Sequence, residues 1–84
     1  MNILFTPRAW DDYQYWLTTD KKQLRRINTL IKETAKNPFA GSGKPELLKA
    51  NLRGCWSRRI DGEHRLVYQV KHDALVIIAC RYHY

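Results

Sequence analysis

Three groups in this chain stand out as able to do chemistry: a histidine next to the chain end, an acid in a glycine-flanked loop, and arginines in strand-like sequence. The chain closes on Arg81-Tyr82-His83-Tyr84, which runs directly off the apolar stretch Ala74 to Cys80. Chain ends usually fray, but a buried strand at this point would pin the last residues against the body of the domain. A histidine held in that way, beside aromatics and an arginine, can pass a proton to a phosphate ester. Glu46 lies between Lys44 and Lys49, cations that favour a carboxylate in the form a base needs. Arg58, Arg59 and Arg65 fall within strand sequence. A guanidinium there must face water or a partner, and its planar fork matches two phosphate oxygens at once.

RNA carries its own nucleophile, the 2′-hydroxyl, beside each phosphate. Cleavage by transesterification needs a base for that proton, cations for the charge on the phosphorane, and an acid for the departing 5′-oxygen. No metal or cofactor is required. Glu46, the arginines and His83 could supply these parts, and Tyr84 could stack on an unpaired base. Each also has a plainer reading. Glu46 is a first-turn acid after Pro45, Lys44 and Lys49 are solvated, and Tyr84 packs on the sheet end. An ion pair with Asp61, Glu63 or Asp73 accounts for one of the arginines. His64 and His72 read as structural or exposed, and Trp10, Trp16 and Trp56 as core.

Other chemistries find little support. There is no glycine-rich phosphate loop before a helix, no zinc-ligand spacing and no cluster of paired carboxylates. Ser57, Cys55 and Cys80 lack a visible base with an orienting partner. Eighty-four residues make one domain, 1–84, with shallow pockets. Fifteen Lys and Arg against eight Asp and Glu give a net charge of +7. That favours a polyanionic partner, nucleic acid or an acidic protein, against the alternative of a basic domain kept soluble by its charge. The two cysteines read as buried free thiols in a reducing cytoplasm, with one disulfide left open. Met1 to Phe5 is too short for a signal peptide and no run of about 18 apolar residues exists. A cytoplasmic protein with no membrane partner is expected.

These residues must be positioned by a small set of elements. Asn2–Phe5 reads as a strand. Thr6-Pro7 opens a helix with Trp10, Tyr13 and Leu17 along one stripe. Asp20 caps a second helix whose face is Leu24, Ile27, Ile31 and Thr34, with Leu30 beside it, and Asn37-Pro38 ends it. Two antiparallel helices follow from the tight turn between them. Pro38 to Asn51 is a loop in which Pro45–Lys49 could form one helical turn. Cys55–Ile60 and Glu63–Val70 flank Asp61-Gly62, which suits a type I′ hairpin. Ala74 to Tyr82 reads as a further strand, central and covered on both faces. His83 shares parity with Leu75 on that strand. A face carrying Arg59, Arg65 and His83 together is the arrangement the chemistry would need.

At this point four motifs occur in order: Gly43-Lys44-Pro45-Glu46-Leu47 with Lys49, Ser57-Arg58-Arg59-Ile60, His64-Arg65-Leu66-Val67-Tyr68, and Tyr82-His83-Tyr84. With Trp10, Tyr13 and Trp16 in the helical half, the chain resembles the YoeB/Txe toxins of bacterial type II toxin–antitoxin modules, within the RelE/ParE group. The resemblance implies an α+β fold: two N-terminal helices packed on a mainly antiparallel four-stranded sheet. It implies messenger RNA cleavage in the ribosomal A site, leaving a 2′,3′-cyclic phosphate. By motif, Glu46 resembles the general base, His83 the general acid and Arg65 the phosphate clamp. Arg59 and Lys49 resemble supporting cations, and Tyr84 an aromatic positioning residue. A YefM/Axe-like antitoxin and a homodimer are the implied partners, besides mRNA and ribosomal RNA. The rival from the same group is a ParE-like toxin that poisons DNA gyrase by binding; a basic RNA chaperone fits the charge but leaves Glu46 and His83 idle.

Overall fold

A computed structural model describes residues 1–84. The order is β1 (Asn2–Phe5), α1 (Pro7–Thr19), α2 (Lys21–Lys36), β2 (Glu46–Leu47), a 3-10 turn (Ala50–Leu52), β3 (Trp56–Arg59), β4 (Arg65–Lys71) and β5 (Ala74–Ala79). The strands form one sheet in the order β1-β5-β4-β3-β2, antiparallel except for the parallel pair β1–β5. The α+β class is as expected, but the sheet has a fifth strand. It forms where a helical turn was expected: a lone turn satisfies few backbone groups, whereas Glu46 and Leu47 pair with the open edge of β3, opposite Ser57 and Trp56.

The helices start and stop as their sequence dictates. Thr6 accepts from the Ala9 amide at 3.1 Å with Pro7 next to it, and Asp20 accepts from the Gln23 amide at 3.0 Å. Asp20 both ends α1 and begins α2. Tyr13 and Asn28, nearly equidistant from that turn, hydrogen-bond across at 2.8 Å, so the helices run back along each other. On α2 the buried residues are Leu24, Ile27, Leu30, Ile31 and Thr34, the expected face. On α1 they are Ala9, Asp12 and Trp16, while Trp10 and Leu17 are 50% and 42% exposed. Trp10 therefore lies outside the core. It stacks on Tyr13 and meets the Phe5 edge at the rim. Helix α1 is turned because Asp12 and Trp16 find polar partners inside: the Cys80 amide donates to Asp12 at 3.0 Å and the Trp16 indole N–H donates to the Cys80 carbonyl at 2.8 Å.

The helices cover one face of the sheet, where Leu66, Tyr68, Leu75 and Ile77 join the main core; Trp56 packs half-buried against it. Leu48, Cys55, Val67 and Ala79 form a smaller cluster on the other, helix-free face. Leu75, Ile77 and Ala79 were expected to share one side of β5. An irregularity between Val67 and Tyr68 breaks that parity, because Val67 pairs with Ala79 and Tyr68 with Ile77, leaving Ile78 extra. The strand is central but ends at Ala79 rather than Tyr82, and its Val76 and Ile78 are only half covered. Asp61-Gly62 does not form a type I′ turn, since Gly62 lacks the left-handed backbone that turn requires. Instead the loop widens to an Ile60 N–H···O His64 bond, and Asp61 Oδ1 accepts the Glu63 and His64 amides at 2.8 and 2.7 Å.

Arg58 is the largest fully buried side chain. It sits on the helix side of β3, opposite in parity to Ser57 and Arg59. None of its partners is Asp61, Glu63 or Asp73. Its Nη2 donates to the carbonyls of Asn37 and Ala40, its Nη1 to that of Ser42, and its Nε to the Tyr68 hydroxyl. Glu33 Oε1 lies 3.8 Å from Nη1 and also accepts the Ser42 amide. The loop after α2 is thus fastened to the sheet from within. Arg58→Met should cost about 3 kcal/mol or more, because three carbonyls and a tyrosine hydroxyl lose their buried donor. Urea unfolding monitored by tryptophan fluorescence would measure the loss.

Candidate functional site

The helix-free face gathers several of the residues singled out from sequence. Directly paired residues in a sheet point the same way. Glu46 pairs with Ser57, Ser57 with Val67, and Arg59 with Arg65. Glu46, Arg59 and Arg65 therefore share the face of Ser57, which is the face without helices. Glu46 and Arg59 are exposed. Arg65 is 8% exposed, and its Nη1 donates to the Asp61 and His64 carbonyls at 2.9 and 3.1 Å. One nitrogen anchors the guanidinium to the turn, while Nε and Nη2 make no hydrogen bond. Arg59 and Arg65 are paired across β3 and β4, and neither forms an ion pair.

The tail reaches the same face by a route that strand parity does not give. After Ala79 the chain leaves the ladder, and side chains hold its backbone. The Cys80 amide and carbonyl are taken by Asp12 and Trp16. Arg8, ion-paired with Asp12 at 3.3 Å, donates to the Arg81 carbonyl at 3.2 Å. The Tyr82 amide donates to His64 Nδ1 at 2.7 Å, and the Tyr82 carbonyl accepts the Arg65 amide at 3.0 Å. Tyr82 has φ +69°, a left-handed backbone uncommon for a bulky residue. Beyond it, Tyr84 brings its hydroxyl 3.1 Å from Ser57 Oγ. His83 lines a hollow with Val67 and Ala79 of the helix-free cluster. Its only hydrogen bond joins Nδ1 to the Tyr84 carbonyl oxygen at 3.0 Å.

Ser57, buried at 2% exposure, thus joins the two segments: Glu46 pairs with it in the sheet, and the Tyr84 hydroxyl meets its Oγ. Lys49 is exposed at the start of the 3-10 turn, and no hydrogen bond ties it to the others. His72 is exposed in the β4–β5 turn, whereas His64 is buried with its ring edge-on to Trp16. Sequence reading passed over Ser57, His64, Asp12 and Arg8 as parts of this region. None carried a local signal: Asp12 falls off the Trp10, Tyr13 and Leu17 stripe and reads as an acid near the positive end of the helix dipole. Both cysteines are buried and free. Burial, with the Asp12 carboxylate adding to it, pushes the Cys80 thiol up to about 12, and burial also raises that of Cys55. Neither is poised as a nucleophile. No helix is long and apolar enough to cross a membrane.

Residues 5–84 match the family model described as the YoeB-like toxin of bacterial type II toxin–antitoxin systems. The chain is 58% identical to Toxin YoeB of Escherichia coli (strain K12) over the full length of both. Among solved structures it resembles the YoeB/ParE toxin from Agrobacterium tumefaciens, with TM-score 0.97, 48% identity and full coverage of both chains. It also resembles YoeB from Staphylococcus aureus, solved as a heterotetrameric YoeB–YefM complex and as a dimer. The TM-scores are 0.91 and 0.92, each at 49% identity, covering all of this chain and 98% of those.

Two acids, Glu33 on α2 bonded to the following loop and Asp61 in the β3–β4 turn, link stability to pH. The Ser42 backbone amide, then the Ser42 side chain and Arg58, hold the Glu33 carboxyl below its ordinary value of 4.5. Burial alone would raise Asp61, but the His64 amide, Gln23 and the Glu63 amide together bring it below its ordinary 3.8. A value lowered on folding means that the unfolded chain takes up the proton first. The stabilisation is complete above the unfolded values and is lost as pH falls through the folded ones. Thermal midpoints should therefore drop on acidification from about pH 5 downward. A Glu33→Gln, Asp61→Asn double variant should be less stable at neutral pH and should show a shallower decline over that range.

Proposed function

The chain belongs to the YoeB-like toxins of bacterial type II toxin–antitoxin systems, and on that footing we propose that it is a metal-free, ribosome-dependent endoribonuclease. The observation that carries this reading is the shared face: Glu46 is paired with Ser57, Ser57 is bonded to the terminal tyrosine, and Arg59 lies against Arg65. A pure binding module has no need of a proton acceptor and a proton donor around unpaired guanidinium groups.

In the proposed reaction, messenger RNA in the ribosomal A site lies across this face. Glu46 takes the 2′-hydroxyl proton, and the 2′-oxygen attacks the adjacent phosphorus. Arg65 stabilises the phosphorane through its unbonded nitrogens, supported by Arg59 and Lys49. His83 gives a proton to the 5′-oxygen as the P–O5′ bond breaks, leaving a 2′,3′-cyclic phosphate and a 5′-hydroxyl. Tyr84, fixed by its bond to Ser57, stacks on a base and orders the strand. Solvation by fixed cations replaces a metal at every charged stage.

The partners follow the relatives. A YefM-like antitoxin would restrain this toxin in the cytoplasm, and the net charge of +7 suits an acidic segment as the inhibitor. A homodimer, as seen for the Staphylococcus aureus protein, is the proposed free form.

General acid–base groups typically contribute factors of about 10² to 10⁴. Glu46→Ala and His83→Ala should therefore each lower cleavage of ribosome-bound message by at least about 100-fold with circular dichroism unchanged. Primer extension on stalled ribosomes would read the cuts. A folded Glu46→Ala, His83→Ala double variant that cuts at the wild-type rate would refute the assignment. Arrest of growth by a wild-type protein that makes no cuts would favour the ParE-like binding mode.

A further inference from the structure

His64 is the one buried histidine, and neither the proton transfers nor the phosphate contacts above make use of it. Its surroundings are specific. The ring sits edge-on to Trp16 at 4.8 Å between centroids. Nε2 faces Glu63 Oε1 at 3.5 Å, and Nδ1 receives the Tyr82 amide at 2.7 Å. An amide can donate only to an unprotonated ring nitrogen, so the hydrogen of the neutral ring is on Nε2, toward Glu63. The ring is thereby a fixed acceptor aimed at one peptide group.

That peptide group is where the tail changes direction. Tyr82 holds a left-handed backbone, which is costly for a bulky side chain and persists only when its surroundings over-determine it. Both ends of the residue are held: its N–H by His64 and its C=O by the Arg65 amide. His83 comes next. It is exposed, and its own hydrogen bond reaches no further than Tyr84. The location of the His83 imidazole is therefore inherited from Tyr82 on one side and from Tyr84, bonded to Ser57, on the other.

We propose that His64 is a positioning residue: its Nδ1 fixes Tyr82 in the left-handed conformation that delivers His83 to the helix-free face. The function of that delivery rests on the endoribonuclease reading; the anchoring itself does not. His64→Asn keeps an acceptor near the Nδ1 position, whereas His64→Phe keeps a ring against Trp16 and removes the acceptor. Should the phenylalanine variant fail to fold, His64→Gln replaces it, since its acceptor falls near the Nε2 position instead.

Two measurements test the proposal. Hydrogen exchange of the Tyr82 amide in the free, full-length protein should be slow in wild type and in His64→Asn, and fast in His64→Phe or His64→Gln. Single-turnover cleavage of ribosome-bound message should lose about 100-fold in rate in His64→Phe, as expected when a reacting group is displaced by about 1 Å. Apparent affinity for the programmed ribosome should change less than twofold by the same reasoning, because His64 touches no substrate. His64→Asn should recover to within about tenfold of wild type. Equal Tyr82 protection in all variants, or equal rates for the asparagine variant and the acceptor-deficient one, would overturn the proposal. Absence of cleavage by wild-type protein would instead count against the endoribonuclease reading, leaving the exchange result to decide the anchoring.

Discussion

The buried Arg58 guanidinium is the constraint on which the loop side of the site depends. A charge taken from water must recover several kcal/mol of lost hydration from well-placed partners, and here nearly all of them come from one segment. The carbonyls of Asn37, Ala40 and Ser42 converge on it, with the Tyr68 hydroxyl and the Glu33 carboxylate closing the shell. Tyr68 passes the constraint on by donating to the Pro38 carbonyl. The loop could not close this tightly with side chains at its turning points. Gly41 has φ +122° and lies against Glu33 and Arg58, and Gly43 has φ +81° beneath the Arg59 backbone, to whose amide its carbonyl is bonded. Once the loop is clasped, Glu46 has little choice but to enter the sheet beside Ser57.

The tail solves the same problem by the opposite device. The loop offers carbonyls to one buried cation, whereas the tail offers successive backbone groups to separate side chains: Asp12, Trp16, Arg8 and His64. Each replaces a ladder bond that a longer β5 would have made. A continued strand would have kept side chains on alternating faces and carried the last residues beyond the sheet. Leaving the ladder at Ala79 and turning at Tyr82 lets the chain fold back across the face, so that Tyr84 meets Ser57. The two faces of the sheet consequently divide their work: one buries the helices, and the other receives a loop and a tail that are far apart in sequence.

What could be read from the sequence was the part governed by local rules. Capping by Thr6 and Asp20, the stop at Asn37-Pro38, and the apolar stripe of α2 are set within a few residues of each other, and the structure reproduces them. Errors arose wherever a polar residue acted across the fold. Asp12 looked like a dipole-stabilising surface acid because its partner, the Cys80 amide, is 68 positions away. Arg58 looked equivalent to Arg59, yet adjacent strand residues face opposite sides, and only the placement of the helices decides which side is dry. The extra residue at Ile78 reversed the parity from which the His83 face was inferred. The grouping of Glu46, Arg59 and Arg65 was available as a chemical requirement. The register that satisfies it was not, since a one-residue slip would have turned each side chain to the other face.

The electrostatics of the helix-free face follow from how the acids are employed elsewhere. Asp61 was a natural counter-ion for Arg59 or Arg65, but its Oδ1 is occupied by two backbone amides and its Oδ2 by Gln23. Glu33 is engaged with Ser42 and Arg58, Asp12 with Arg8 and Cys80, and Glu63 faces His64. Acids that might have neutralised the exposed arginines are instead holding turns, the tail and the loop. The excess of seven positive charges is therefore not spread evenly as solvation. Part of it is left as unpaired guanidinium on the face that holds Glu46, free of self-neutralisation and so available to a polyanion of the kind the proposed reaction requires.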